Sequence, residues 1–287
     1  MARFIPDPTK FPRLKDQVMV ITGGSSGIGA ATVAFFAKHG AKVISGDITP
    51  ASTDVENVQH VSTDVTSYSS LSNLFRLAFK TYGRVDIAIS NAGLIEPGNI
   101  FDPSIDLQSV DEEPALNIVD VNVKAVIYFA RIASVYLRQG AKPGDDKCLL
   151  LMSSVAGFTF TPGLYVYGAT KHAVIGLMRA LAPYALTTLG IRVNSICPWT
   201  TETGMVSQFL DKWRAGGFAV NSPEDIAQIY GALAVDAENN GKAVYVEGGR
   251  GWEIEEGLNR LGPQWLGPGP WDSLMRGQRF FSETESW

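Results

Sequence analysis

Cysteine, histidine and positive charge are all scarce in this chain. Cys148 and Cys197 are the only two cysteines in 287 residues, too few for a disulfide framework. His39, His60 and His172 are widely separated, with no CxxC pair beside them, so a zinc site is not expected. The 24 lysines and arginines are outnumbered by 29 aspartates and glutamates, giving a net charge of -5. That balance lacks the basic footprint of a nucleic-acid binder. No apolar run approaches the ~18–20 residues of a membrane span. The opening residues, Met1 to Pro8, lack the apolar stretch of a signal peptide. The expectation is a cytoplasmic protein that acts on a small molecule and engages neither nucleic acid nor membrane. What is present is ordinary globular material, 45% hydrophobic and 18% charged, without repeats or low-complexity blocks.

Residues 1–15 are polar and punctuated by proline, and read as an N-terminal arm. Beyond them, short apolar runs alternate with helical patterns. Strands are predicted at Val18–Thr22, Lys42–Gly46, Val58–Ser62, Val85–Ser90, Cys148–Met152, Ile191–Cys197 and Ala243–Val246. Helices are predicted at Ile28–His39, Ser67–Tyr82, Glu112–Gln139 and Tyr165–Leu189, and another opens at Ser222 with Pro223 in its first turn. Such alternation implies right-handed βαβ units in a doubly wound parallel sheet of about seven strands, with helices on both faces. The fold class is therefore α/β, with one domain over residues 16–250. Residues 251–287, rich in tryptophan and proline, read as an ordered extension wrapped on that domain. Residues 199–221 join the sixth predicted strand to the next helix. Their Gly216–Gly217 pair and the aromatic Phe209, Trp213 and Phe218 suggest a mobile lid.

The turn from Thr22 to Gly29 links the first strand to a helix and is rich in glycine and serine. Glycine lets the backbone approach a pyrophosphate, and the helix N-terminus presents unpaired N–H groups to it. Gly23, Ser25, Ser26, Gly27 and Ile28 are the candidate cradle. Asp47 ends the second strand, 18 residues beyond Gly29, where a carboxylate can accept both ribose hydroxyls of an adenosine and repel a 2′-phosphate. No lysine or arginine lies within Gly23–Gly29 or just after Asp47. The expected cofactor is NAD rather than NADP.

Tyr167 and Lys171 stand at i and i+4, on one face of a helix. A phenol near pKa 10 is a poor base at neutral pH, and a neighbouring ammonium favours the phenolate. Ser153 and Ser154 end the fifth strand, the edge at which open α/β sheets hold ligands. Asn122 falls in the preceding helix, and Asn91, Ala92 and Gly93 end the fourth strand.

In this order, the pattern resembles the short-chain dehydrogenase/reductase family, whose fold is a Rossmann-type sheet. The Thr22–Gly29 motif, Asp64–Val65, Asn91–Gly93, Asn122, Ser154, Tyr167 and Lys171 carry the resemblance, which spans roughly Lys15 to Gly249. It implies that Tyr167 is the general acid/base and that Lys171 lowers its pKa and binds the nicotinamide ribose. By the same resemblance Ser154, more than Ser153, orients the substrate oxygen, and Asn122 holds a water in a proton relay. Asp64 and Val65 would meet the adenine, Asn91 would support the cofactor pocket, and Thr203 would lie near the carboxamide. Where the family usually has Pro-Gly, this chain has Pro198–Trp199, and Trp199 is expected to wall the substrate pocket with Leu164. Phe158 and Phe160 add apolar surface nearby.

The function implied is NAD-dependent interconversion of a secondary alcohol and a ketone, on a bulky apolar substrate such as a terpenoid, steroid or polyketide, with oxidation favoured. A ketoreductase of the same fold, a non-catalytic NAD-sensing regulator, and an epimerase or dehydratase are the alternatives. Family resemblance also implies a homodimer or homotetramer built on the two long helices.

Overall fold

A strand without a polar face must be covered on both sides, and the sheet meets that requirement. The computed structural model describes residues 2–51 and 55–283. Within them, Ala2–Phe4 (β1), Val18–Thr22 (β2), Lys42–Asp47 (β3), Val58–Ser62 (β4), Ile87–Ser90 (β5), Lys147–Met152 (β6), Ile191–Pro198 (β7), Ala243–Glu247 (β8) and Arg250–Glu253 (β9) form one sheet. Its order is β1-β9-β8-β7-β6-β5-β2-β3-β4. From β8 to β4 all neighbours are parallel; β9 and β1 are antiparallel additions at one edge. The chain adopts the Rossmann-type α/β fold.

Alternation along β2 divides the core. Val18 and Val20 face one layer, where Gly27–Lys38 (α1) is absent and Tyr68–Tyr82 (α2), Ala125–Arg138 (α4) and Tyr165–Tyr184 (α5) pack through Leu74, Phe75, Phe129 and Met178. Met19 and Ile21 face the other, where α1 and Pro223–Val235 (α7) pack through Phe36 and Tyr230. Local signals match these elements. Ser222 and Asp225 form a reciprocal capping box on α7, and Ser67 caps α2. Gly83, at φ 72°, ends α2 in the left-handed region.

Four details differ from the sequence reading. The sheet has nine strands instead of seven, because β1 and β9 are short strands whose three or four residues carry no clear alternation. The N-terminal arm is part of the fold: β1 pairs with β9, and a 3-10 turn at Pro8–Leu14 buries Phe11 and Leu14 against the α1–α7 layer. The helix expected from Glu112 begins at Asn117–Val119 (α3), passes through a π-helical turn at Asp120–Lys124, and continues as α4. Pro114 disfavours helical backbone at the residue before it. The helix expected to run to Leu189 is α-helical only to Tyr184, with a π-helical turn to Leu189 and Gly190 at φ 69°.

Beyond β9, Glu255–Trp265 (α8) and Pro268–Glu283 (α9) form a helical pair. They pack on each other more than on the sheet, with Trp271 seated over Gly262. Glu253 accepts the N–H groups of Glu255 and Glu256, and Arg179 pairs with Glu255, tying α8 to the domain.

Below the sheet, at the N-terminal ends of its strands, Asp86 is enclosed. Its carboxylate accepts Val18 N–H at 2.9 Å, Lys147 Nζ at 2.6 Å and the Arg84 guanidinium at 2.7 Å. Lys147 is 3% exposed and Asp86 not at all. Removing one member of a buried pair strands the other charge, at a cost of about 3–5 kcal/mol. Asp86→Ala is therefore expected to lower unfolding stability by that amount in urea titrations, with cofactor binding by the remaining folded protein unchanged.

Candidate active site

Strand order reverses between β2 and β5: the chain runs outward through β3 and β4, then returns to build the other half. Ligands bind at the carboxyl ends of strands at such a point. A cavity of about 680 Å³ opens there, lined from the Gly23 turn through β5, β6 and β7 to the 199–213 segment.

The glycines at one end of this cavity are required by contact. A Cβ on Gly29 would lie 1.8 Å from the Gly23 carbonyl oxygen, and one on Gly24 2.0 Å from Ser45 Oγ. Gly23 and Gly27 hold φ of 70° and 49°, open to glycine at little cost. Asn91 clamps the turn by donating from Nδ2 to the carbonyls of Thr22 and Gly23, at 3.2 and 3.1 Å. At the start of α1, Ser26 makes no side-chain cap, so the first N–H groups remain for a ligand. Asp47 sits beyond the cradle, fixed by Ser25 N–H and Thr49 N–H at 3.0 Å each. A flat, glycine-floored groove with free helix N–H groups and a carboxylate at its far end fits a dinucleotide.

At the other end, β6 and α5 bring the proton-transfer residues together. Ser154 Oγ accepts Ala156 N–H at 3.2 Å, donates to the Pro198 carbonyl at 3.5 Å, and stands close enough to the Tyr167 phenol to draw its pKa down. Ser153 turns the other way, donating to the Lys171 carbonyl at 2.9 Å. Lys171 Nζ donates to the Met152 carbonyl at 3.1 Å and lies 5.5 Å from the centre of the Tyr167 ring. Gly93 makes room for it: a Cβ there would stand 3.4 Å from Nζ. Asn122, in the π-helical turn, exchanges hydrogen bonds of 2.8 Å with the Leu94 backbone and donates to Thr170 Oγ1 at 3.2 Å.

With this geometry in hand, comparison with known proteins is decisive. Residues 17–213 match the family described as short chain dehydrogenase. This chain belongs to the short-chain dehydrogenase/reductase family. It is 33% identical over 277 residues to the short-chain dehydrogenase/reductase prx4 of Penicillium roqueforti, covering 89% of this chain and 82% of that one. It is 33% identical over 267 residues to the 5′-hydroxyaverantin dehydrogenase of Dothistroma septosporum, covering 82% and 85%. Among solved structures, the 3-ketoacyl-(acyl-carrier-protein) reductase of Brucella melitensis, complexed with NADH, superposes with a TM-score of 0.71 at 27% identity, over 82% of this chain and 98% of that one. The ligand-free aldohexose dehydrogenase of Thermoplasma acidophilum gives 0.69 at 27% identity, over 83% and 95%. The chain is accordingly an oxidoreductase of a family that works with a nicotinamide cofactor.

Most of the dehydrogenase's sequence-predicted site residues line this cavity: Gly23, Ser26, Gly27, Ile28, Asp47, Asp64, Val65, Asn91, Ala92, Gly93, Ser154, Leu164, Tyr167, Lys171, Pro198, Trp199 and Thr203. Two do not. Ser25 directs its N–H to Asp47 and its hydroxyl to the Thr49 carbonyl. Asn122 directs its amide to Leu94 and Thr170, and its neighbour Val121 lines the wall instead. Asp64 is engaged by Thr66, whose N–H and hydroxyl it accepts at 2.9 and 2.7 Å.

The segment expected to act as a lid is a short helical turn at Gly204–Val206 followed by Ser207–Ala215 (α6), closed at its base by a bridge between Thr201 and Asn221. Trp199, Phe209 and Phe218 surround Trp213, with ring centres 5.3, 6.2 and 4.8 Å away, and Trp213 Nε1 donates to the Ala219 carbonyl. Trp199, Phe209 and Trp213 face the cavity. Missed from the sequence were Met205, Val206 and Ile95 among the lining residues, and Glu96, which accepts the N–H groups of Tyr165 and Tyr167. Their aliphatic or loop positions carry no motif.

Burial governs the site's titration. It pushes the Tyr167 phenol above its ordinary value, while the Ser154 hydrogen bond pulls the other way. Burial also brings the Lys171 ammonium down to about 8. The net direction for Tyr167 is therefore upward, opposite to the depression expected from Lys171, with desolvation the largest cause. A lysine lowered on folding binds fewer protons than in the unfolded chain between about pH 8 and its ordinary value, so its cost to stability is greatest below pH 8 and fades as the pH rises. Lys171→Met is expected to raise the unfolding free energy at pH 7 by on the order of 3 kcal/mol, and by clearly less at pH 10. Chemical denaturation at the two pH values measures the difference.

Proposed function

We propose that this short-chain dehydrogenase is an NAD-dependent enzyme that oxidises a secondary alcohol to a ketone on a bulky apolar substrate. The observation that carries the reading is the joint placement of Ser154, Tyr167 and Lys171 between the glycine cradle and an aromatic wall. A regulator that only sensed a dinucleotide would need no such proton-transfer set.

NAD is favoured by charge. Asp47 and Asp64 are the ionisable residues at the cradle end of the cavity, and Lys171, at the opposite end, is the one cation among its lining residues. Nothing along the lining at the Asp47 end would neutralise a 2′-phosphate, and the fixed Asp47 carboxylate would repel it. Trp199, Phe209, Trp213, Leu164 and Ile95 favour an apolar substrate body.

When bound, the nicotinamide supplies the hydride acceptor. Tyr167 takes the hydroxyl proton of the alcohol, and Ser154 hydrogen-bonds the same oxygen as it becomes a carbonyl. Lys171 remains largely cationic at neutral pH, holds the cofactor's ribose and favours the phenolate. Asn122 fixes the π-helical turn against Leu94, and the family resemblance is what supports its holding a water in a proton relay. The 199–221 segment closes over the substrate and excludes water. The relative named a 5′-hydroxyaverantin dehydrogenase supports the oxidative direction. The reductive alternative is supported by the neighbour named a ketoacyl reductase. Exposed Ile127 and Val135 on α4, and Tyr184 at the end of α5, support a homodimer or homotetramer, and a cytoplasmic location completes the proposal.

Tyr167→Phe is expected to lower kcat for a cyclic secondary alcohol by about 10²–10⁴-fold, with the Kd for NADH unchanged within about twofold; full turnover in this variant refutes the mechanism. In wild type, kcat/KM with NAD is expected to exceed that with NADP, and the reverse order refutes the role of Asp47.

A further inference from the structure

The segment after Gly93 is attached to both sides of the catalytic centre. Leu94 is paired with Asn122 through two hydrogen bonds of 2.8 Å. Two residues on, Glu96 Oε1 accepts the N–H of Tyr165 at 2.8 Å, and Oε2 accepts the N–H of Tyr167 itself at 2.5 Å. Helix α5 starts at Tyr165, and its N-cap residue, Leu164, has no side-chain cap to offer. A helix start carries unpaired N–H groups and a partial positive charge, and Glu96 meets both from a distant part of the chain. No lysine or arginine occurs between Val85 and Val123, so its own segment holds no cation to draw the carboxylate away. The contact is reinforced by the Phe101 ring, edge-on to Tyr165 at 5.6 Å.

We propose that Glu96 is a positioning residue for Tyr167: its two carboxylate oxygens fix the first turn of α5 and so place the phenol against Ser154 and over Lys171. One hydrogen bond would set only a distance; two, to alternate residues of one turn, also set the helix's rotation. Ile95, between the anchors, lines the cavity, so the same strand of chain that holds the catalytic helix forms part of the substrate wall. This inference rests on Tyr167 acting as the acid/base.

The test compares full-length wild type, Glu96→Ala and Glu96→Gln in NADH formation from a panel of cyclic secondary alcohols, with Kd for NADH from fluorescence and Tm measured beside it. Glu96→Ala should lose about 10–100-fold in kcat, the scale of a reacting group misplaced by about 1 Å, with Kd for NADH within about twofold. The Ser154 bond lowers the phenol's pKa, so its loss should move the midpoint of the kcat–pH curve upward. Glu96→Gln, retaining one acceptor oxygen, should fall between. Wild-type kcat and pH midpoint in Glu96→Ala, or a loss that only follows a fall in Tm and is no smaller in Glu96→Gln, would overturn the proposal. If wild type oxidises none of the panel, it is the functional reading that fails. Hydrogen exchange then decides the role of Glu96: amides 165 and 167 should exchange at least ~10-fold faster in Glu96→Ala while the rest of α5 is unchanged, and equal rates overturn it.

Discussion

A lysine ammonium held nearly out of water is the constraint around which this site is built. Lys171 is 4% exposed and donates to the Met152 carbonyl. Among the described residues no carboxylate forms an ion pair with it, and burial lowers it to about 8 without removing its charge at neutral pH. Such a cation is unfavourable in isolation. The parts around it act to keep it there: the end of β6 supplies the carbonyl, Gly93 leaves the space, and the first turns of α5 set the side chain's direction. A buried cation beside a phenol has little structural use, but it favours the phenolate that proton transfer requires.

The sheet's topology determines where this happens. Because strand order reverses between β2 and β5, the turns that follow the two strands diverge and leave a groove. Asn91 bridges it, tying the turn after β5 to the glycine turn after β2. Gly29 can be nothing larger, since its Cα packs onto the Gly23 carbonyl. The tolerance of the cradle end is therefore narrow. The opposite wall is built differently, from aromatic rings on a segment anchored at Thr201 and Asn221.

Much of this was readable beforehand, for physical reasons that vary by element. The inner strands announced themselves because burial on two faces demands unbroken apolar runs. The cradle was readable because close backbone approach demands glycine, and the Tyr167–Lys171 pair because helical spacing stacks i and i+4. The short antiparallel strands β1 and β9 were missed because a strand of three or four residues has no period to detect. The π-helical turn at Asp120–Lys124 escaped because a one-residue shift in hydrogen bonding leaves the hydrophobic pattern nearly intact. Glu96 escaped because the interaction that matters joins a loop to backbone N–H groups some 70 residues on, and any sequence can supply those. The rise in the Tyr167 pKa was likewise invisible, since desolvation is a property of the folded cavity.

In the proposed mechanism, Tyr167 would become an accessible base only when the positive charge of a bound nicotinamide joined that of Lys171 beside it. The direct measurement is the ultraviolet tyrosinate difference spectrum as a function of pH, for wild type and Tyr167→Phe, without and with saturating NAD. The expected result is a Tyr167-dependent tyrosinate signal whose midpoint lies above the ordinary tyrosine value without NAD and falls by at least about one pH unit on NAD binding. A Tyr167 midpoint that stays in place when NAD is bound would contradict it.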